Sequence, residues 1–260
     1  MKPKNIDDIR ASFTVQAARF ESGSMNFSKQ EYLDYTVRSM EPRPADSVLD
    51  AAAGTCACGR AVAPFVESVV CLDATRAMLA AGRKEAEKSG IANMRFIEGF
   101  VEEIPFPDGH FDIVLTRLAF HHFSDMGGSF SEMDRVLKPG GKLVVIDMEA
   151  AAEELREIED AIETMRDPSH VKNRSTQEFL DLYGKYGYSV VKQESTKISV
   201  SLRAWLDLTN TPGAAGNKIT ALLRADIHGG KLTGFSPYFK GNEIYFDQRW
   251  LLMMGVKSAF

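Results

Sequence analysis

The chain has 260 residues, 44% of them hydrophobic and 26% charged, a composition that suits a globular protein large enough for one substantial core. A formal net charge of -5 and the lack of any basic cluster exclude a general pull toward nucleic acid or an anionic membrane, so nucleic acid is not an expected partner. The three cysteines, Cys56, Cys58 and Cys71, do not make a disulfide framework, and the lone Cys-x-Cys lacks the second ligand pair of a tetrahedral site, so no metal is expected.

The first residues are charged and lack an apolar core, which is not the pattern of a signal peptide, and no apolar run has the length of a membrane span. A cytoplasmic location is the expectation. Ile9, Phe13, Ala17 and Phe20 recur at helical spacing, which predicts a helical cap over residues 1–44, closed by Glu41-Pro-Arg-Pro. From residue 45 to 150 strands and helices alternate. Strands are predicted at Ser47 to Ala51, Ser68 to Asp73, Met94 to Glu98, Phe111 to Thr116 and Lys142 to Asp147. Helices are predicted at Arg60 to Phe65, Arg76 to Ser89 and Phe130 to Leu137. Unbroken aliphatic runs, each followed by a helix, indicate parallel strands buried on both faces. After Asp147 the rhythm changes. Helices are expected at Ala150 to Arg166 and Gln177 to Tyr186, then a sixth strand at Tyr188 to Gln193 and a last one from Trp250. Residues 151–260 would thus complete the core and carry an insertion, at about 195–245, with one helix from Asn217 to Ile227. A connection this long favours a substrate-shaping role.

The first strand runs into Asp50-Ala-Ala-Ala-Gly54-Thr-Cys56-Ala-Cys-Gly59. A strand, a glycine turn and a helix in succession can bring backbone amides against a ligand. The dinucleotide pattern G-x-G-x-x-G fails here, because Ala52 and Ala57 occupy its outer glycine positions. A phosphate loop fails as well, because Arg60-Ala61 stands where Lys-Ser/Thr must hold phosphate and magnesium. The second strand ends in Asp73. A carboxylate at such a strand end can accept hydrogen bonds from both hydroxyls of a ribose; its bland alternative is to cap the next helix.

Four segments in order carry a resemblance: Val48-Leu-Asp-Ala-Ala-Ala-Gly-Thr, Cys71-Leu-Asp-Ala-Thr-Arg-Ala-Met-Leu, Glu102-Glu-Ile-Pro-Phe-Pro-Asp-Gly-His-Phe-Asp-Ile-Val and Arg135-Val-Leu-Lys-Pro-Gly-Gly-Lys-Leu. With them the chain, from about Phe13 to Lys257, resembles the class I S-adenosylmethionine-dependent methyltransferases, close to the ubiquinone/menaquinone-biosynthesis C-methyltransferase group. The resemblance implies a Rossmann-like α/β fold with an open, mostly parallel seven-stranded sheet and helices on both faces. It implies S-adenosylmethionine as cofactor, S-adenosylhomocysteine as product and a small-molecule methyl acceptor as partner, with a homodimer as the assembly considered.

Carried over by position, the resemblance puts Asp50, Ala52 and Gly54 under the methionine part of the cofactor and Asp73 on the ribose. Ala74 and Met78 would pack near the adenine, with Phe100 and Val101 on its other side. Arg117 to His122 would face the methionine and the reacting methyl, and Phe20 would help close the pocket. Two positions depart from the group's pattern. Cys56 replaces a glycine, where a side chain could crowd the cofactor. Phe100 replaces an aspartate, so it can pack on the ring but cannot accept its amine.

Methyl transfer needs a base only where the acceptor must lose a proton, and histidine suits that task near neutral pH. Of the five histidines, His122, after the fourth strand, and His170, in Arg166-Asp-Pro-Ser-His170, are the catalytic candidates. His121 and His122 could equally pack and cap a turn, while His110 and His228 read as turn and loop residues. Arg117 in a crevice needs an anionic partner: the cofactor carboxylate, an acidic substrate, or an internal pair with Asp112 or Asp147. Trp205, Trp250, Tyr238 and Phe239 would line an apolar site or belong to the core. The rival to an enzyme is a non-catalytic or altered-ligand cofactor-binding protein on the same fold.

Overall fold

In the computed structural model, residues 3–21 and 29–259 are described. Helix α1 spans Ile6–Gln16 and α2 Gln30–Met40; residues 22–28 of the predicted cap lie outside the described residues. Strands β1 (Ser47–Ala51), β2 (Ser68–Asp73), β3 (Met94–Glu98), β4 (Phe111–Arg117) and β5 (Leu137–Met148) are all parallel to one another. They alternate with α3 (Ala57–Val62), α4 (Arg76–Lys88) and α5 (Met126–Val136). The inner strands are buried along nearly their whole length, which is why their sequences read as unbroken apolar runs.

Helices α6 (Arg156–Arg166) and α7 (Thr176–Lys185) lead to β6 (Tyr188–Ser201). Then follow α8 (Leu202–Leu208), α9 (Gly213–Ile227), β7 (Tyr238–Lys240) and β8 (Glu243–Lys257). The sheet order is β3-β2-β1-β4-β5-β8-β6, with β8 antiparallel to both neighbours. Seven strands make the expected path, and the short β7 adds an eighth as a hairpin on β8.

Two differences from the sequence reading lie in the last third. Strand β6 continues past Gln193 to Ser201, so the excursion before β8 covers 202–242 rather than 195–245. The continuation alternates: Ile198 and Val200 are buried while Lys197 and Ser199 are exposed, a half-buried strand hidden behind the polar run Glu194-Ser-Thr-Lys. The excursion is not irregular, since α8 and α9 bury Trp205, Leu208, Ile219 and Leu223 against Phe235 and Phe246. Trp205 is therefore core. Phe239 is exposed, and the Tyr238 hydroxyl bonds Asp247 and Ser199.

Candidate functional site

The strand order reverses between β1 and β4, and an open α/β sheet has its ligand crevice at the carboxyl ends there. A cavity opens at that place. The turns around it hold Ala52 (φ 57°), Gly54 (φ 53°), Cys56 (φ 61°) and Leu118 (φ 54°) in the left-handed region. Each non-glycine residue so held costs about 1–3 kcal/mol, and such strain collects at functional sites.

Asp73 braces the crevice from the end of β2. Its Oδ2 accepts the Gly54 amide at 2.8 Å and its Oδ1 the Thr75 amide at 2.8 Å. The two roles weighed for it from sequence are thus compatible, because it steadies the start of α4 and each oxygen keeps a further lone pair for a ligand. Asp50, 2% exposed, accepts the Gly59 amide at 2.8 Å. A Cβ on Gly59 would come within 2.6 Å of Cys71 Sγ and 3.2 Å of the Asp50 carboxylate, so glycine is required there. Burial pushes the Asp50 carboxyl up to about 7 against the opposing pull of the Gly59 amide; nearby Asp73 adds to the rise. Burial raises Asp73 as well.

Phe100 and Val101 form one wall. Arg10 of α1 reaches across, its Nε donating to the Ala74 carbonyl at 3.1 Å and its guanidinium lying 5.5 Å from the Phe100 ring. Glu102, absent from the sequence prediction, lines the same wall; burial raises its pKa, and its Oε1 has no partner among the described residues. Three carboxylates and the Arg117 guanidinium therefore share this cavity. That charge pattern suits a ligand with two cationic centres and a carboxylate, which are the charges of S-adenosylmethionine.

The methyltransferase domain family matches residues 49–145. The uncharacterized methyltransferase YcgJ of Bacillus subtilis is 30% identical over 233 residues, covering 89% of this chain and 92% of that protein. The chain belongs to the class I S-adenosylmethionine-dependent methyltransferases. The crystal structure of YcgJ superposes with a TM-score of 0.79 at 28% identity, over 88% of this chain and 99% of that one. A putative methyltransferase from Bacillus halodurans gives a TM-score of 0.80 at 26% identity, with the same 88% and 99% coverage. The ubiquinone/menaquinone C-methyltransferase UbiE of a Shewanella species is 33% identical over 162 residues, or 58% of this chain and 63% of that one.

In this methyltransferase Phe20, Asp50, Ala52, Gly54, Asp73, Ala74 and Phe100 all line the crevice; so do Val101, Arg117 and His122. Met78 does not. It is fully buried on the face of α4 that packs against the sheet, with Leu79, Gly82 and Ala86. Cys56 does not line the crevice either: its Sγ lies 3.5 Å from the Gly54 carbonyl, and a Cβ on Gly82 of α4 would approach it to 2.8 Å. The left-handed backbone at Cys56 turns its thiol toward α4 and away from the crevice.

Arg117 pairs with neither of the internal carboxylates considered. Asp112 is held by Lys138 at 2.8 and 2.9 Å, and Asp147 by His121. The guanidinium instead lies 5.2 Å from the Trp250 ring, and its charge lowers the Asp50 pKa. It also borders a second space between α2 and the β6–β8 pair, which Trp250 lines.

His122 meets Ser169 through Nδ1, at 3.0 Å from the carbonyl oxygen and 3.1 Å from Oγ. Burial, with the neighbouring His121, pushes its pKa down to about 3. His170 is not brought to the crevice. Its buried ring is turned away to Asp160 on α6, at 2.9 Å from Nε2. The reading of sequence missed the wall residues Ile9, Phe13 and Thr55 and the Glu102 carboxylate. For Glu102 a signal existed, since it begins one of the four motif segments.

Proposed function

We propose that this methyltransferase binds S-adenosylmethionine in the crevice between β1 and β4 and transfers its methyl group to a small molecule in the cytoplasm. The observation that carries the reading is Asp73, fixed at the end of β2 by two backbone amides with lone pairs still available. In this reading Asp73 takes the ribose hydroxyls, while Ala74, Phe100 and Val101 enclose the adenine. Gly54 and Ala52 let the backbone approach the methionine part, whose ammonium faces Asp50 and whose carboxylate faces Arg117. When bound, the cofactor supplies an already activated methyl on a sulfonium.

The chain's own work is then positioning and the exclusion of water. Ile9, Phe13 and Phe20 bring apolar surface over the mouth of the crevice. Support for a small acceptor comes from the net charge of -5, which disfavours nucleic acid, and from the confined spaces beside the crevice. A phosphoethanolamine N-methyltransferase from Haemonchus contortus, solved with phosphomonomethylethanolamine and S-adenosylhomocysteine, shares the fold at a TM-score of 0.66 and 18% identity. Among the described residues no helix is long and apolar enough to cross a membrane.

Calorimetry with S-adenosylhomocysteine tests the proposal. Wild type is expected to bind with one site, and Asp73→Ala to lose about 1–3 kcal/mol of affinity. An unchanged dissociation constant in the variant would remove the ribose assignment. No heat with either cofactor form at millimolar concentration would overturn the function and favour an altered-ligand protein.

A further inference from the structure

Above the ends of β4 and β5 lies a further, smaller chamber, walled by Leu118, Met148, Leu208, His121 and Arg166. It shares Phe13, Phe20, Leu118 and His122 with the cofactor crevice, so the two spaces adjoin. Its most distinctive group is His121. The ring Nδ1 lies 2.5 Å from Oδ1 of Asp147, a carboxylate 2% exposed. Asp147 is fixed in turn by the backbone amides of His121, at 3.1 Å, and Met148, at 2.6 Å. A carboxylate held by amide donors can only accept, so in the neutral ring the His121 proton sits on Nδ1 and the Nε2 lone pair remains. Among the described residues the His121 ring bonds through Nδ1 alone.

The neighbouring histidines do not compete for this role. His122 is kept neutral by its depressed pKa, and His170 is bound to Asp160 outside both cavities. Burial is the largest influence on His121 and would lower it, but the charge and hydrogen bond of Asp147, with the charges of Glu163 on α6 and of Asp167, together outweigh it. His122 and His170 also face the ring, at centroid distances of 4.1 and 5.7 Å. The net shift is upward, toward a stronger base.

Charge decides which acceptor fits. Among the described residues Arg166 is the chamber's cation, but Glu163 lies 3.4 Å from it and Asp167 is adjacent in the chain. No net positive charge is left to hold an anionic acceptor. Moving a proton from an ammonium acceptor to imidazole would only shift a positive charge between sites in the same field. Moving one from a neutral hydroxyl makes an imidazolium that the surrounding carboxylates stabilise. A phenol or enol is close enough in acidity to imidazole for this transfer, whereas an alkyl alcohol is not.

We propose that this chamber is the acceptor site and that Nε2 of His121, oriented by Asp147, takes the proton from an uncharged phenolic or enolic hydroxyl. The O–H bonding pair stays on oxygen, giving the phenolate or enolate that accepts the methyl carbon. The sulfur keeps the pair of the broken S–C bond and becomes a neutral thioether. The apolar wall of Leu118, Met148 and Leu208 suits the carbon skeleton of such a molecule. This inference rests on the methyltransferase reading of the crevice.

The probe is 4-nitrophenol, whose ionised form absorbs at longer wavelength, added to protein saturated with S-adenosylhomocysteine. Saturation is verified first by calorimetry, so failure of the cofactor reading is seen separately. At a pH where free 4-nitrophenol is mainly protonated, wild type is expected to show the phenolate band on binding. His121→Gln should bind the phenol by equilibrium dialysis but lose the band, and Asp147→Asn should weaken it. With S-adenosylmethionine, formation of the methyl ether should fall about 10²- to 10⁴-fold in His121→Gln. As a check independent of variant folding, ¹⁵N-histidine NMR of wild type at a pH above the raised pKa of His121 should show Nδ1 protonated and Nε2 bare, with Nε2 gaining a proton when the phenol binds. An Nε2–H tautomer before addition, failure of the phenol to bind the saturated protein, binding without the band, or a band retained in His121→Gln overturns the proposal.

Discussion

At the scale of single residues, Asp50 makes stability depend on pH. Its carboxyl, near 3.8 in an unfolded chain, rises to about 7 when buried. A raised acid pKa means that the folded state holds its proton more tightly than the unfolded state. The relative stability is complete below about pH 4 and is lost as pH rises through 7. Each pKa unit corresponds to about 1.4 kcal/mol, so the ionised group costs about 4 kcal/mol above pH 7. Asp50→Asn removes that charge but introduces an amide N–H pair needing partners, at about 1–2 kcal/mol. The ligand-free variant is therefore expected to gain on the order of 2–3 kcal/mol at pH 8 and to lose on the order of 1 kcal/mol at pH 4. Urea unfolding at the two pH values checks this, and equal effects at both would contradict it. Cys56 makes a second residue-scale case. From sequence alone its thiol is a threat to the cofactor, because identity shows a side chain but not its direction. The structure turns it against α4, so Cys56→Gly should change cofactor affinity less than about threefold, while the relief of left-handed strain, about 1 kcal/mol, roughly offsets the lost burial. Calorimetry on the variant would show a larger change if the thiol met the ligand.

Among the elements, the parallel core was legible because its inner strands β1, β2 and β4 are buried on both faces and their apolar runs are closed by turns. The second half of β6 was not, since half of its residues face solvent and a polar run interrupts the pattern. The catalytic candidates show the same limit. His121 depends on Asp147, 26 positions away on another strand, and the sequence equally allowed Asp147 to serve Arg117. Helix α1 is the element whose behaviour tests the site. It is tied to the core by Asn5 on the His122 and Ser169 carbonyls, by Arg10 on Ala74, and by Ser12 and Gln16 on Asp167. Its apolar residues Ile9 and Phe13 line the crevice, so a bound ligand adds contacts to a helix otherwise held by hydrogen bonds at its flanks. Hydrogen exchange across residues 6–16 should slow by about tenfold or more with saturating S-adenosylhomocysteine, corresponding to at least about 1.4 kcal/mol of local stabilisation. Unchanged exchange in α1 would mean that the helix does not close over the ligand.

For the whole molecule, the crevice joins parts of the chain that otherwise pack in separate clusters. Leu49 and Phe120 belong to one core, Val48 and Cys71 to a second, and Trp205 and Phe246 to a third; the crevice is walled by α1 and the ends of β1, β2 and β4. A ligand bound there stabilises the folded chain as a unit. At a hundred times its dissociation constant it adds about 2.7 kcal/mol, which in a chain of this size raises the melting temperature by on the order of 5–10 °C. The shift should depend on pH with a definite sign. A cationic ligand favours ionised Asp50, so below pH 7 binding must first release the carboxyl proton. At pH 5.5 that requirement weakens affinity by up to about 30-fold, leaving the same ligand concentration only about threefold above its dissociation constant. The stabilisation then falls to about 0.8 kcal/mol, roughly a third of its value at pH 8. Thermal unfolding with S-adenosylmethionine at both pH values measures the ratio directly. Asp50→Asn should flatten it, because the position no longer titrates. A wild-type shift that is equal at the two pH values would show that Asp50 does not meet the ligand's positive charge.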